Sequence, residues 1–131
     1  MSQPKVQKGS SGLGLFATKS YKKGDCIIEY TGEVITEEEA NRRGGKYLFE
    51  LNNSWTIDGK GRDNLARYIN HSCLPNAYPE LTHDEKKVFI YAKKKISEGE
   101  EISYNYGKDY FNRVIKPLGC RCQKCTSPTA K

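Results

Sequence analysis

Apolar residues in this chain alternate with polar ones over short runs and never hold helical spacing beyond about two turns, which points to a sheet-rich fold. Residues 25–35 alternate around Ile27, Ile28, Tyr30, Val34 and Ile35 and read as two strands bent at Gly32. Further strands are expected over residues 15–18, 47–51, 55–57, 87–96 and 101–106, the last ending at Gly107. The turn Ser97-Glu98-Gly99-Glu100 joins the final pair. Two brief helices interrupt this pattern. Thr36-Glu37-Glu38-Glu39 fits a capping box, in which the Thr oxygen takes an early helix N–H and the Glu39 carboxylate reaches back. A helix of about two turns follows from it and stops at Gly44-Gly45. Asp63 or Asn64 caps a second, shorter one through Ala66, Arg67, Tyr68 and Ile69.

The 131 residues suffice for one compact domain. With 36% hydrophobic residues and a mean hydropathy of -0.79, the core is small, and small cores commonly need a staple such as a bound metal. Residues 1–14 are polar and lack the apolar stretch of a signal peptide, and no window approaches the 18 or so apolar residues of a membrane span. An intracellular protein with reduced thiols is the expectation, and clustered cysteines then bind metal rather than form disulfides. The net charge of +6 favours acidic or nucleic-acid-associated partners through long-range attraction, including non-specific DNA contact by the Lys93-Lys94-Lys95 run and the basic tail.

Cys120-Arg121-Cys122-Gln123-Lys124-Cys125 places three thiols within the reach of one tetrahedral zinc. A structural site needs a fourth ligand, and Cys73 and Cys26 are the choices. Cys26 opens an apolar strand and is expected to be buried as a small hydrophobe. Cys73 lies in the polar turn Asn70-His71-Ser72-Cys73-Leu74-Pro75-Asn76 and is the better ligand.

Gly12-Leu13-Gly14 reads as a loop whose missing side chains let a ligand approach the backbone, although Gly-x-Gly alone more often marks a tight turn. Tyr104 and Tyr106, two apart on one strand, share a face and could line one pocket. Packing tyrosines with satisfied hydroxyls would show the same spacing.

Taken in order, Gly12-Leu13-Gly14, Tyr47-Leu48-Phe49, Arg67-Tyr68-Ile69-Asn70-His71-Ser72-Cys73 and the Gly99-Glu100-Glu101-Ile102-Ser103-Tyr104-Asn105-Tyr106-Gly107 segment closely resemble the SET family of protein-lysine methyltransferases. The terminal Cys-x-Cys-x2-Cys resembles that family's post-SET segment, and the likeness covers roughly residues 8–126. The resemblance implies a mainly β fold (a β-clip) of small curved sheets with short helices. In it, Asn70–Cys73 and Tyr104–Tyr106 form a pseudoknot-like core. It divides the chain into a catalytic SET domain, residues 1–111, and a post-SET zinc-binding segment with a basic tail, residues 112–131.

It further implies S-adenosylmethionine as cofactor, met by Gly12, Leu13, Gly14, Asn70, His71 (mainly through its backbone), Tyr106 and Leu118. Tyr106 is the catalytic tyrosine, Tyr47 and Tyr104 line the lysine channel, and Cys73, Cys120, Cys122 and Cys125 hold one structural zinc. Tyr104 occupies the family's Tyr/Phe product-switch position, which implies a mono- or dimethylated product. The expected substrate is a histone-tail lysine, alone or in a nucleosome, acted on in the nucleus or on chromatin if the source or host is eukaryotic and otherwise in the cytoplasm, without membrane contact. A methyltransferase of a non-histone protein and a non-catalytic SET-like binding module are the alternatives. The interval between Arg43 and Leu48 is short where larger members carry an insertion that shapes the peptide groove, so a partner could be needed to complete that wall.

Overall fold

The computed structural model describes residues 3–9, 12–44, 47–51, 54–84 and 86–106. In chain order the elements are β1 (Lys5–Gly9), β2 (Gly12–Phe16), β3 (Cys26–Tyr30), β4 (Glu33–Thr36), α1 (Glu37–Arg43), β5 (Leu48–Glu50), β6 (Trp55–Asp58), a one-turn 3-10 helix (Leu65–Tyr68), β7 (Asn70–His71), β8 (Ala77–Leu81), β9 (Val88–Ala92) and β10 (Glu101–Tyr104). Among the described residues they form three small sheets, ordered β1-β2-β10-β7, β3-β9-β8 and β4-β6-β5. No helix among the described residues is long and apolar enough to cross a membrane.

The strands meet where their alternation buries one face. Leu15 of β2 pairs with Ile102 of β10, and Ile28 of β3 with Ile90 of β9. Leu15, Val88, Ile90, Ile96 and Ile102 are fully buried in one core that also takes Ile69 and Tyr104. Each such aliphatic side chain contributes about 1.5–3 kcal/mol through removal from water.

The strand pair bent at Gly32 appears as β3 and β4. The expected strand over residues 15–18 begins earlier, at Gly12, and β1 and β8 were not anticipated. Pro79 discourages a strand reading of β8, yet it is tolerated because β8 lies at a sheet edge. Cys26 is a correction: it is exposed, not buried. The register slips between Cys26 and Ile28, and such a bulge re-aims the side chain at its start.

Half of the expected capping box forms. Thr36 Oγ1 accepts the Glu39 N–H at 3.2 Å, whereas the Glu39 carboxylate turns to Arg42 Nε (2.8 Å) and Arg43 Nε (2.7 Å). The first helical N–H, that of Glu37, donates instead to the Ser54 carbonyl at 3.2 Å. Hydrogen bonds from Arg42 first and Arg43 second pull the Glu39 carboxyl down to about 2. Arg43 also reaches Asp58 (2.9 Å) and Glu33 (3.1 Å), tying α1 to β6 and β4. The helix stops at Gly44, in the left-handed region at φ 61.

The 3-10 helix is not capped by an Asn64 side chain, as the sequence had suggested. Buried Asn64 instead accepts from Thr31 N–H and donates to the Gly59 carbonyl, both at 3.0 Å, holding two loops together.

Candidate active site

The site is built where β10 changes partners. Through Glu101 and Ile102 it pairs antiparallel with β2, and then Ser103 and Tyr104 pair in parallel with Asn70 and His71 of β7. Ser72 N–H continues this ladder by donating to the Tyr104 carbonyl at 3.1 Å. The two segments singled out from the sequence are thus direct neighbours, although they lie more than thirty residues apart.

Leaving β2 at Ile102, β10 provides no partner for Leu13. The Asn70 side chain takes that place: its Nδ2 donates to the Leu13 carbonyl at 3.1 Å and to Glu101 Oε2 at 2.8 Å. With both amide hydrogens committed, Oδ1 is left as an acceptor that takes no hydrogen bond among the described residues. Gly14 is required for this packing, since a Cβ there would press on the Glu101 carboxylate and come within 3.2 Å of the Asn70 amide. Gly12 has φ 93 with open space beside it, and Leu13 is exposed. Gly12-Leu13-Gly14 is therefore a strand, not the expected loop, and its bare backbone faces the Asn70 amide. Glu101 was not foreseen as part of the site. Its signal was its alternation with Ile102 and Tyr104, which puts it on the opposite face from those buried residues.

His71 Nδ1 accepts the Tyr106 N–H at 3.0 Å, and its Nε2 lies 3.5 Å from Cys73 Sγ. Burial lowers the imidazole pKa and favours the neutral ring that the Nδ1 acceptor role requires. Tyr106 lies two residues past the end of β10, so the two tyrosines do not share one strand face. They are brought together by packing, with ring centroids 5.2 Å apart at 74°. The His71 ring meets Tyr106 edge-on at 5.4 Å. The Tyr106 hydroxyl donates to the Ile69 carbonyl, and Tyr104 is buried.

Tyr47 sits beside the 3-10 helix. The Arg67 guanidinium lies 4.4 Å from its ring centroid and 4.8 Å from that of Tyr68, a cation–π stack next to the start of β7. A further residue missed from the sequence is Asn76. It is buried, its Oδ1 accepts the Ser103 N–H, and its Nδ2 donates to the Glu101 carbonyl, both at 2.9 Å. An Asn after Pro75 at the end of a polar turn was the only cue.

Cys73 is half-buried in the turn closed by Leu74 N–H donating to Ser72 Oγ at 3.0 Å. Leu118, Cys120, Cys122 and Cys125 lie outside the described residues. No group of three or more metal-binding side chains occurs among the described residues.

The SET domain family model matches residues 12–107 and so takes in the β2 glycines, β7 and the Tyr104–Tyr106 segment. The chain belongs to the SET-domain family. This SET domain is 41% identical over 121 residues to "Histone-lysine N-methyltransferase 2D" of Homo sapiens, with 85% of the chain aligned to 2% of that protein. It is 40% identical over 123 residues to "Histone-lysine N-methyltransferase set1" of Dictyostelium discoideum, covering 86% of the chain and 8% of the relative. Against "Histone-lysine N-methyltransferase, H3 lysine-4 specific" of Schizosaccharomyces pombe the identity is 39% over 121 residues, covering 84% and 13%. The chain therefore spans a small fraction of the length of these relatives.

Proposed function

We propose that this SET domain transfers a methyl group from S-adenosylmethionine to a lysine of a histone tail, with lysine 4 of histone H3 the first position to test. The observation that carries the reading is the junction of β7 and β10. It sets an Asn70 oxygen with open acceptor capacity and the Tyr104–Tyr106 pair on adjoining positions. The substrate choice rests on the similarity to histone-lysine N-methyltransferases, one of them specific for lysine 4 of histone H3.

The residues present fit the cofactor. Asn70 Oδ1 is an acceptor suited to its ammonium group, and the bare backbone from Gly12 to Gly14 admits close approach. Leu13 and the His71 backbone complete that wall, joined by Leu118. When bound, S-adenosylmethionine supplies a methyl group on a cationic sulfur. The protein's part is to present a neutral amine in line with it. A free lysine has a pKa of about 10.4, so its charged form dominates at neutral pH. A channel lined by Tyr104, Tyr106 and Tyr47 desolvates the side chain and favours loss of its proton to water before transfer. The Tyr106 hydroxyl donates to the Ile69 carbonyl, which fixes its oxygen and ring as the groups that orient the amine.

The Tyr104 hydroxyl occupies space that a more methylated amine would need, so the product is mono- or dimethyl-lysine. Mass spectrometry of an H3-tail peptide treated with the full chain is expected to find these products, and Tyr104→Phe is expected to move the distribution toward trimethyl-lysine. An unchanged distribution would remove Tyr104 from the product-switch role. Absent transfer from folded protein that binds S-adenosylmethionine would leave a non-catalytic module.

The same reading divides the chain into a catalytic SET domain over residues 1–111 and a post-SET segment over 112–131, acting on nuclear chromatin. Cys73, Cys120, Cys122 and Cys125 hold one structural zinc, which ties the tail to the turn that carries His71. The donor chemistry fits: Cys73 Sγ is half-exposed and lies next to His71 Nε2. Metal analysis of the dialysed, reduced full chain is expected to give about one zinc per molecule, as for a closed four-thiolate site. Cys73→Ser and Cys122→Ser each lose most of it; a Cys73→Ser protein that keeps its zinc would exclude Cys73 as a ligand.

A further inference from the structure

Two turns far apart in sequence lie side by side at one end of the β3-β9-β8 sheet. Residues 19–24 and 92–96 are joined by Tyr21 N–H to the Ile96 carbonyl (2.8 Å), Ile96 N–H to the Tyr21 carbonyl (3.0 Å) and Gly24 N–H to the Ala92 carbonyl (2.8 Å). Ala92 N–H closes the frame on the Asp25 carbonyl at 2.8 Å. Tyr21, Ala92 and Ile96 are buried beneath, so the frame is fixed by both backbone pairing and core packing. Outside the frame the surface is dominated by lysine: Lys19, Lys22, Lys23, Lys93, Lys94 and Lys95 are all exposed, beside the uncharged Ser20 and Gly24. The Tyr21–Ile96 bridge and the Gly24–Ala92 hydrogen bond thus hold the two lysine-bearing segments side by side at that end of the sheet.

Asp25, Glu98 and Glu100, in and beside the two turns, offset only part of the charge of the six lysines. Asp25 Oδ2 accepts the Lys22 N–H and Glu100 Oε1 the Ser97 N–H, both at 2.8 Å, so each is turned to its own backbone. Glu98 is the remaining one on the adjoining turn. The ion pairs of the described residues lie around Arg42 and Arg43 and involve none of the lysines. Lys19 Nζ lies 5.4 Å from the Tyr21 ring centroid.

We propose that this lysine face binds the phosphate backbone of duplex DNA beside the methyl-transfer site. Recognition by charge, through six point-like ammonium groups, suits the evenly spaced charges of a duplex phosphate backbone better than the irregular charges of an acidic peptide. Within the two turns the aromatic residue, Tyr21, is buried, so there is no stacking platform for single-stranded bases. One edge of the face comes close to the segment that carries the two tyrosines: Lys93 and Asn105 line one groove of about 390 Å³ with Tyr78 and Pro79. Asn105 lies between Tyr104 and Tyr106. DNA on the lysines would thus hold chromatin against the side of the domain where the tail lysine reacts. The inference deepens the proposed histone methylation, but its binding measurement does not depend on it.

The test measures binding of the full chain to a mixed-sequence DNA duplex by fluorescence anisotropy across a salt series. Combined replacement of Lys22, Lys23, Lys94 and Lys95 by Ala is compared with the same replacement of Lys5, Lys8, Lys60 and Lys86, exposed lysines elsewhere with equal charge. The first variant is expected to lose about 3–4 from the slope of log affinity against log salt, and the control much less, since each phosphate contact contributes about 0.9. It should also methylate nucleosomes more slowly while methylating a free H3 peptide at the unmodified rate, which shows that its fold and chemistry are intact. Equal losses in both variants would reduce the effect to net charge, and an unchanged slope in the first would move binding to the basic tail. Displacement of the duplex by polyglutamate at matched charge would make this an acidic-protein surface. Each of these three results overturns the proposal. If no peptide is methylated at all, the proposed function fails and the slope comparison still decides the lysine face.

Discussion

Tyr106→Phe is expected to lower kcat for peptide methylation by about 10²-fold with little change in cofactor affinity. The substitution keeps the ring and its edge-to-face contacts with Tyr104 and His71. What it removes is the hydroxyl, and with it the hydrogen bond to the Ile69 carbonyl that fixes the ring against the residue preceding β7. In the proposed reaction the same change also removes the oxygen assigned to orient the amine. Misplacement of reacting groups by about 1 Å costs on the order of 10²-fold. Single-turnover measurements, with circular dichroism to confirm the fold, check this. A wild-type kcat in the Tyr106→Phe protein would strip Tyr106 of its catalytic role and leave it a packing residue.

The largest effect on stability is expected from Asn76→Ala. This buried amide accepts from Ser103 N–H and donates to the Glu101 carbonyl, so it holds β10 at the point where that strand passes from β2 to β7. Alanine leaves two backbone groups without partners, at about 1–3 kcal/mol each, a loss of about 2–6 kcal/mol in total. A domain is usually stable by only about 5–15 kcal/mol, so the variant should unfold at a much lower denaturant concentration. Asn76→Asp keeps the acceptor for Ser103 but sets a carboxylate oxygen against the Glu101 carbonyl, and it should also be destabilised. Denaturant midpoints within about 0.5 kcal/mol of wild type for Asn76→Ala would show that β10 does not depend on this residue, since surface substitutions typically fall in that range.

Local alternation marked β9 and β10, which bury every second side chain; β3, β4 and β6 were also legible from their apolar and β-branched residues, although β6 buries three positions in a row. It was insufficient where a single residue broke the pattern. Pro79 concealed β8, and the bulge after Cys26 turned outward a thiol whose apolar neighbours had argued for burial. Thr36 announced α1, but the destination of Glu39 depended on where β6 and β4 delivered Asp58 and Glu33, the other partners of Arg43.

The site was divided in the same way. The ordered motifs of the sequence were enough to assign the family and to nominate Asn70, His71, Tyr104 and Tyr106. The family model covering residues 12–107 agrees with that assignment. What those residues do to one another depends on pairing across long stretches of chain. The parallel β7–β10 contact makes Glu101 the partner of Asn70, makes Gly14 necessary, and gives His71 Nδ1 to Tyr106. The lysine face likewise needs residues 19–24 and 92–96 joined by backbone hydrogen bonds. Sequence periodicity records which side of a strand is buried; it carries no information on which strand lies alongside. Only the tertiary structure decides that.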